Sequence, residues 1–185
     1  MIDLNLTLTG YGVTLRRLTH DKIEMLRQWR NDPKIQQYMI YRDYITPEMQ
    51  EAWFQKVNND KNLYCIIEFE GKEVGLINVK DIDYVESVGE GGVFIVEERL
   101  LNTDVAYRAH LLLFDFVFKE LGLQGIKSQI LLSNQRAVRF GQFLGSEQKG
   151  EEDGTASLLL TKENFLANKN RMHFLKRWKH FNGTN

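Results

Sequence analysis

The period of apolar and polar positions changes repeatedly along this chain, and each change marks an element. YGVTLRRL, Tyr11 to Leu18, alternates as a first strand. Thr19 then caps an amphipathic helix to about Arg30, and NDP ends it because Pro33 disfavours a helical residue before it. Thr46, Pro47 and Glu48 open another helix, with proline where its missing donor does no harm, and Met49, Trp53 and Val57 lie on one face of it. LYCIIEF, EGK and EVGLINV read as a hairpin turned at Gly71, and a strand around Gly92 to Val96 extends the meander. From Val105 to Leu121 apolar residues cover most of a helix surface, so that helix is buried on more than one side. GIKSQILL is a strand, Asn134 to Leu144 a helix, GEEDG an acidic turn and TASLLLT the last strand. A helix crossing from the meander to GIKSQILL joins parallel strands. Periodicity thus gives an α/β (α+β) fold: a mixed, mostly antiparallel sheet with a parallel pair and helices on both faces.

Composition narrows the function more than the fold. The chain has 185 residues, 43% of them hydrophobic, enough for one sizeable core, and a formal charge of -1 gives no basic field for nucleic acid. The lone Cys65 excludes an internal disulfide and any multi-cysteine metal site, and is expected to pack in its strand. His20, His110, His173 and His180 show no metal spacing, and His110 is expected to be a satisfied core residue. MIDLNLTLTG lacks a basic region followed by an apolar block, and no apolar run nears the ~18 residues of a membrane span. A soluble cytoplasmic protein without a membrane partner is expected. The punctuation gives one domain over residues 1–161 and a basic helical tail over 162–185. In the tail, Lys169, Arg171, Lys176, Arg177 and Lys179 accompany an apolar stripe of Met172, Leu175 and Trp178, with Phe174 and Phe181 beside it. That stripe docks on the sheet or on a second subunit, making a homodimer, or the tail binds a nucleotide phosphate or an anionic surface.

In DVAYRAHLLLFDFVFKELGLQGIKSQILLSNQRAVRFGQFLG the order is D-x-A, helix, G-L, strand, then Asn134, Ala137, Leu144 and Gly145. That order resembles the acyl-CoA-binding half of the GNAT acetyltransferase superfamily, and the element order matches from Val13 to Thr161. WRNDPKIQQYM and ITPEMQEAWF look like the GNAT enzymes that acetylate nucleotide-linked deoxy-amino sugars. The resemblance implies a GNAT fold and an N-acetyltransferase moving an acetyl group from acetyl-CoA to a small-molecule primary amine. The alternatives are a protein N-terminal acetyltransferase of the ribosomal-protein type and a catalytically silent GNAT-like binding module.

The resemblance also assigns candidate residues. Phe94, Ile95 and Val96 in a strand, and Leu101, Asn102, Thr103, Asp104, Val105 and Ala106 before the long helix, would face acetyl-CoA, together with Asn134, Ala137 and Gly141. Asn134 is also a catalytic candidate as well as an ordinary N-cap, and Glu90, just before its strand, is either the base for the amine proton or a solvated turn residue. Trp29, Arg30, Asn31, Met39 and Tyr41 would bind the acceptor; the structural alternative is that Trp29 and Met39 are core and Arg30 a solvated helix-end charge. Two departures stand out. Relatives carry Q/R-x-x-G-x-G/A where this chain has Leu101 to Ala106, with Asp104, a good helix cap, at a usual glycine. They also carry a general-acid tyrosine where this chain has Gly141. Arg99 and Arg108 could offset the Asp104 charge.

Overall fold

Tyr11 and Gly12 both take positive φ, 53° and 72°, and fold strand β1 (Thr7–Gly10) back on β2 (Val13–Arg17). The chain's first strand is therefore β1, whose exposed, polar alternation hid it. The computed structural model describes residues 2–182, without the side chains of Phe181 and Asn182, so the Phe181 part of the tail stripe lies outside the described residues. A short helical turn at His20–Lys22 leads into α1 (Ile23–Asn31). Thr19 makes no side-chain cap; its hydroxyl donates to Asp21 instead, at 2.6 Å. Asp32 caps α2 (Pro33–Gln36), and Thr46 caps α3 (Pro47–Val57) by accepting from the Met49 amide at 3.3 Å. The face that α3 buries carries Gln50 and Phe54, while Met49 is exposed.

β3 (Leu63–Phe69) and β4 (Lys72–Asp83) turn at Glu70 and Gly71, both at positive φ, as the two-residue hairpin requires. β5 (Val88–Ile95) follows, then α4 (Val105–Lys119), β6 (Gly125–Leu131), α5 (Gln135–Leu144), β7 (Glu147–Glu152) and β8 (Thr155–Thr161). The acidic segment read as a turn is mostly β7, an edge strand whose side chains are all exposed. It pairs through its backbone, which leaves no apolar alternation in the sequence. The sheet order is β1-β2-β3-β4-β5-β6-β8-β7, antiparallel except for β5 and β6. This is the mixed, mostly antiparallel sheet with a parallel pair that was expected.

Two apolar layers cover the sheet. On one face α4 packs Leu111, Leu113, Val117 and Phe118 against Leu15, Cys65, Ile67, Ile77 and Val79. On the other, Leu26 and Phe54 from α1 and α3 cover Ile66 and Leu76. Cys65 is fully buried in β3, and burial pushes its thiol up to about 12, so it stays an inert thiol. The chain ends in α6 (Lys162–Ala167) and α7 (Lys169–Asn182). α7 docks through Arg171, Phe174 and Trp178 rather than Met172, which is exposed: Asp115 on α4 accepts from Tyr11 Oη at 2.7 Å and Arg171 Nη2 at 2.9 Å, and Phe174 and Trp178 pack on Tyr11.

His110 is buried on α4, where its Nδ1–H donates to Ala106 O at 2.7 Å between the rings of Phe114 and Phe140. Burial lowers its pKa from 6.5 to about 4. The unfolded chain therefore takes up a proton here at a higher pH than the folded chain. The stabilisation is complete above about 6.5 and is lost as pH falls towards about 4, by up to about 3 kcal/mol. Urea unfolding from pH 7 to 4.5 should show a shallower loss for His110→Phe than for the parent; equal slopes would contradict the assignment.

Candidate active site

The site begins where two strands separate. β5 and β6 pair in parallel at Val88 with Gly125, Gly89 with Ile126 and Glu90 with Lys127, and no further, although β5 runs to Ile95 and β6 to Leu131. Main-chain groups along a strand point alternately to its two neighbours. Val96 N–H donates to Val74 O at 2.9 Å, and Phe94 and Gly92 lie opposite Leu76 and Asn78 in the same alternation. The main-chain groups of Gly91, Val93 and Ile95 therefore face the opening. Of the three strand residues expected to face acetyl-CoA, Ile95 has this geometry, whereas the main chains of Phe94 and Val96 are turned to β4. Gly91 and Val93 share the geometry of Ile95, which only the register reveals.

The start of α4 borders the carboxyl end of β5. Its first intrahelical bond runs from Arg108 N to Asp104 O at 2.9 Å, so the preceding amides form the open N-terminal turn. Asp104 occupies the cap position but makes no side-chain cap bond. Its carboxylate turns to Arg108, whose Nη2 donates to Oδ2 at 3.0 Å and whose Nε lies 2.8 Å from Oδ1 without a straight hydrogen bond. The capping role expected for Asp104 falls partly to Thr103, which accepts from Val105 N at 3.4 Å while donating to Leu100 O at 2.8 Å. Ala106 and Tyr107 keep first-turn amides that a pyrophosphate can accept from. Arg99 does not offset Asp104; it pairs with Glu97 and Glu70. A hollow of about 330 Å³ adjoins this turn, lined by Phe69, Glu70, Arg99, Leu100, Thr103, Asp104 and Val105. Leu101 is half-buried and Asn102 exposed beside it. Free strand-edge groups, a helix start with open first-turn amides and a carboxylate held by an arginine fit a long anionic thioester such as acetyl-CoA.

On the β6 side, Asn134 Oδ1 accepts from Ala137 N at 3.1 Å and starts α5. The side-chain direction at Gly141 points into the core. A Cβ there would sit 2.5 Å from Leu158 Cδ1 and 4.0 Å from Ile130 Cδ1, so this glycine lets α5 approach the sheet. The side-chain space expected at this position is taken by Leu158, and a tyrosine here would have to displace that buried leucine.

The acceptor candidates lie on the sheet face covered by α1 and α3. Glu90 is inside β5 rather than before it, and its carboxylate is 3.0 Å from Lys80 Nζ. Tyr64, Asn78 and Gly92 stand opposite one another on β3, β4 and β5, sharing that face. Glycine at 92 leaves room for the Asn78 carboxamide: a Cβ would be 3.0 Å from Asn78 Oδ1. Trp29 meets Phe94 edge-on, with centroids 6.4 Å apart, in the apolar layer. Arg30 is half-buried, and its pKa is lowered by burial, countered by the phenols of Tyr64 and Tyr41 rather than by a carboxylate. Burial pushes the Tyr64 phenol up to about 12, where Lys80, Arg30 and Glu90 all act on it. The structure thus gathers Arg30, Tyr41, Tyr64, Lys80 and Glu90. Asn31 is spent elsewhere: its carboxamide donates to Ile45 O at 2.8 Å and accepts from Ile45 N at 2.9 Å, pinning the segment before α3. Met39 is half-buried and Tyr41 is 45% exposed. Tyr64, Asn78 and Lys80 gave no motif; strand alternation on both sides of the hairpin is the signal that could have found them.

Comparison with known proteins agrees with this fold. The acetyltransferase (GNAT) domain family matches residues 13–147. Spermidine N(1)-acetyltransferase of Escherichia coli K12 is 22% identical over 144 residues, 77% of each chain. The crystal structure of spermidine N-acetyltransferase from Vibrio cholerae with CoA and spermine superposes with a TM-score of 0.73 at 19% identity, over 85% of this chain and 99% of that one. A domain from Methanocaldococcus jannaschii gives 0.72 at 21% identity, over 80% and 97%. Since the match spans β2 through the start of β7, and so both strands and both helices that border the opening, the chain belongs to the GNAT acetyltransferase family and is an acyltransferase with acetyl-CoA as its co-substrate.

Proposed function

We propose that this acetyltransferase acts on a small molecule carrying a primary amine and an anionic group, of which a nucleotide-linked amino sugar is one form. The observation that carries the reading is Arg30, a half-buried guanidinium beside the phenols of Tyr64 and Tyr41 that forms no ion pair among the described residues. A desolvated cation without a counter-charge favours an anion in its place. Lys80, which also pairs with Asp81 at 3.4 Å, and the exposed Lys127 flank Glu90 on the same face. Tyr41 and the neighbouring exposed Tyr38 and Tyr44 offer ring faces to a base or sugar.

Acetyl-CoA supplies the acetyl group as a thioester, and the chain's residues prepare the amine. Glu90 takes the amine proton, directly or through water, while Lys80 holds its carboxylate in place. Tyr64, neutral at physiological pH, keeps its phenolic O–H as a donor for the acceptor. Gly91, Val93 and Ile95 hold the pantetheine arm, and the Ala106 and Tyr107 amides the pyrophosphate. No tyrosine stands at 141 to protonate the thiolate, but a thiol of pKa about 8.5 leaves tolerably near neutral pH without help. A polyamine acceptor is the second reading, favoured by the spermidine acetyltransferases among the relatives; Arg30 and Lys80 argue against a polycation beside them.

Turnover of nucleotide-linked amino sugars, peptide amines and spermidine separates the readings. Anionic amines should be preferred, and Arg30→Ala should raise their KM about 10- to 100-fold with little change in CoA affinity. A preference for spermidine, with KM unchanged or lower in Arg30→Ala, would sink the anionic acceptor. For the base, Glu90→Gln should lower kcat by about 100-fold or more near neutral pH and recover in part at alkaline pH, where water deprotonates the amine. An unchanged kcat would remove Glu90 from the reaction.

A further inference from the structure

The C-terminal helix reaches the cofactor turn through one arginine. Arg108, one turn into α4, holds the Asp104 carboxylate, and its guanidinium lies 5.2 Å from the Trp178 ring and 6.0 Å from the Phe69 ring. Trp178 is itself fixed by stacking on Phe174 at 5.8 Å and by its edge contact with Tyr11. Gly12 makes the meeting possible, since a Cβ there would lie 3.2 Å from both Arg108 Nη1 and Trp178 Cη2. An aspartate at a helix start ordinarily turns onto the first-turn amides and would compete with a pyrophosphate for them. Here it does not.

Resting on the use of acetyl-CoA at this turn, we propose that Trp178 is a positioning residue for the cofactor: it holds Arg108 so that Arg108 draws Asp104 off the α4 amides and cancels its charge. The tail thereby adapts a helix start with an aspartate at a usual glycine to bind phosphate. Arg108 acts on Asp104 and not on the phosphate itself.

The test is a double-mutant cycle read by calorimetric CoA binding, without acceptor, so that its failure leaves the acceptor reading untouched. Trp178→Leu and Arg108→Met should each weaken CoA binding about 5- to 30-fold, the range of a freed charge at a helix start. In an Asp104→Gly background either substitution should change Kd less than about 2-fold, because no carboxylate is left to restrain. Trp178→Phe, which keeps a ring over Arg108, should retain most of the affinity. Equal losses in both backgrounds would overturn the proposal, by direct phosphate contact if added salt then weakens binding less, or by general damage if Trp178→Phe fails too. Should Arg108→Met not fold, Asp104→Gly alone decides: tighter or equal binding supports the proposal, and weaker binding defeats it.

Discussion

The rest of the site depends on where the parallel pairing of β5 and β6 stops. Three residue pairs bind them, after which β5 stays with β4 while β6 stays with β8. Glycines set the closeness of the joint. A Cβ at Gly89 would lie 2.6 Å from Val79 Cγ1 and one at Gly91 2.7 Å from Ile126 Cγ2, so side chains there would push apart the layer that α4 covers. Beyond the joint, one edge of each strand lacks a neighbouring strand. Unpaired main-chain groups inside a protein are costly unless a ligand or water meets them. The opening is therefore a binding surface by construction, and the helices that follow the two strands put their N-termini beside it.

Two faces of the sheet then divide the work. On one side the start of α4 borders the joint, and there Arg108 holds the Asp104 carboxylate that would otherwise oppose an anion. The other face lies under α1 and α3, where polar groups interrupt an otherwise apolar layer: Tyr64, Asn78, Lys80 and Glu90 on the strands and Arg30 beside them. Gln50 on α3 adds a buried carboxamide with no partner among the described residues. Groups of this kind lower stability unless something fills the cleft, a usual cost of a site made ready for its substrate.

Much of the fold was legible because its signals are local. Thr46 before Pro47, Gly71 in its hairpin and Asn134 before α5 each act on residues within four positions, and each behaves as read. The apolar density of α4 likewise announced its burial. What stayed hidden is set by partners far along the chain. Glu90 sits among glycines that look like a turn until β4 pairs with them. Asp104 has the residue type of a cap, but Arg108, braced by Trp178 from the end of the chain, decides where its carboxylate goes. Gly141 resembled space for a ligand until Leu158 was seen to fill it. Strand β7 carries no apolar alternation, since an edge strand with both faces in water needs none.

The most direct test of the account is to map CoA binding residue by residue with amide NMR on labelled protein. The account predicts that the amides of Ala106 and Tyr107, together with Gly91, Val93 and Ile95 on the free edge of β5, shift and gain protection from exchange on saturation. Amides of α1 and α3 should move little. Perturbations confined to the acceptor face or to α7, with the α4 start and the β5 edge unchanged, would contradict the central claim that the parting of β5 and β6 builds the cofactor site.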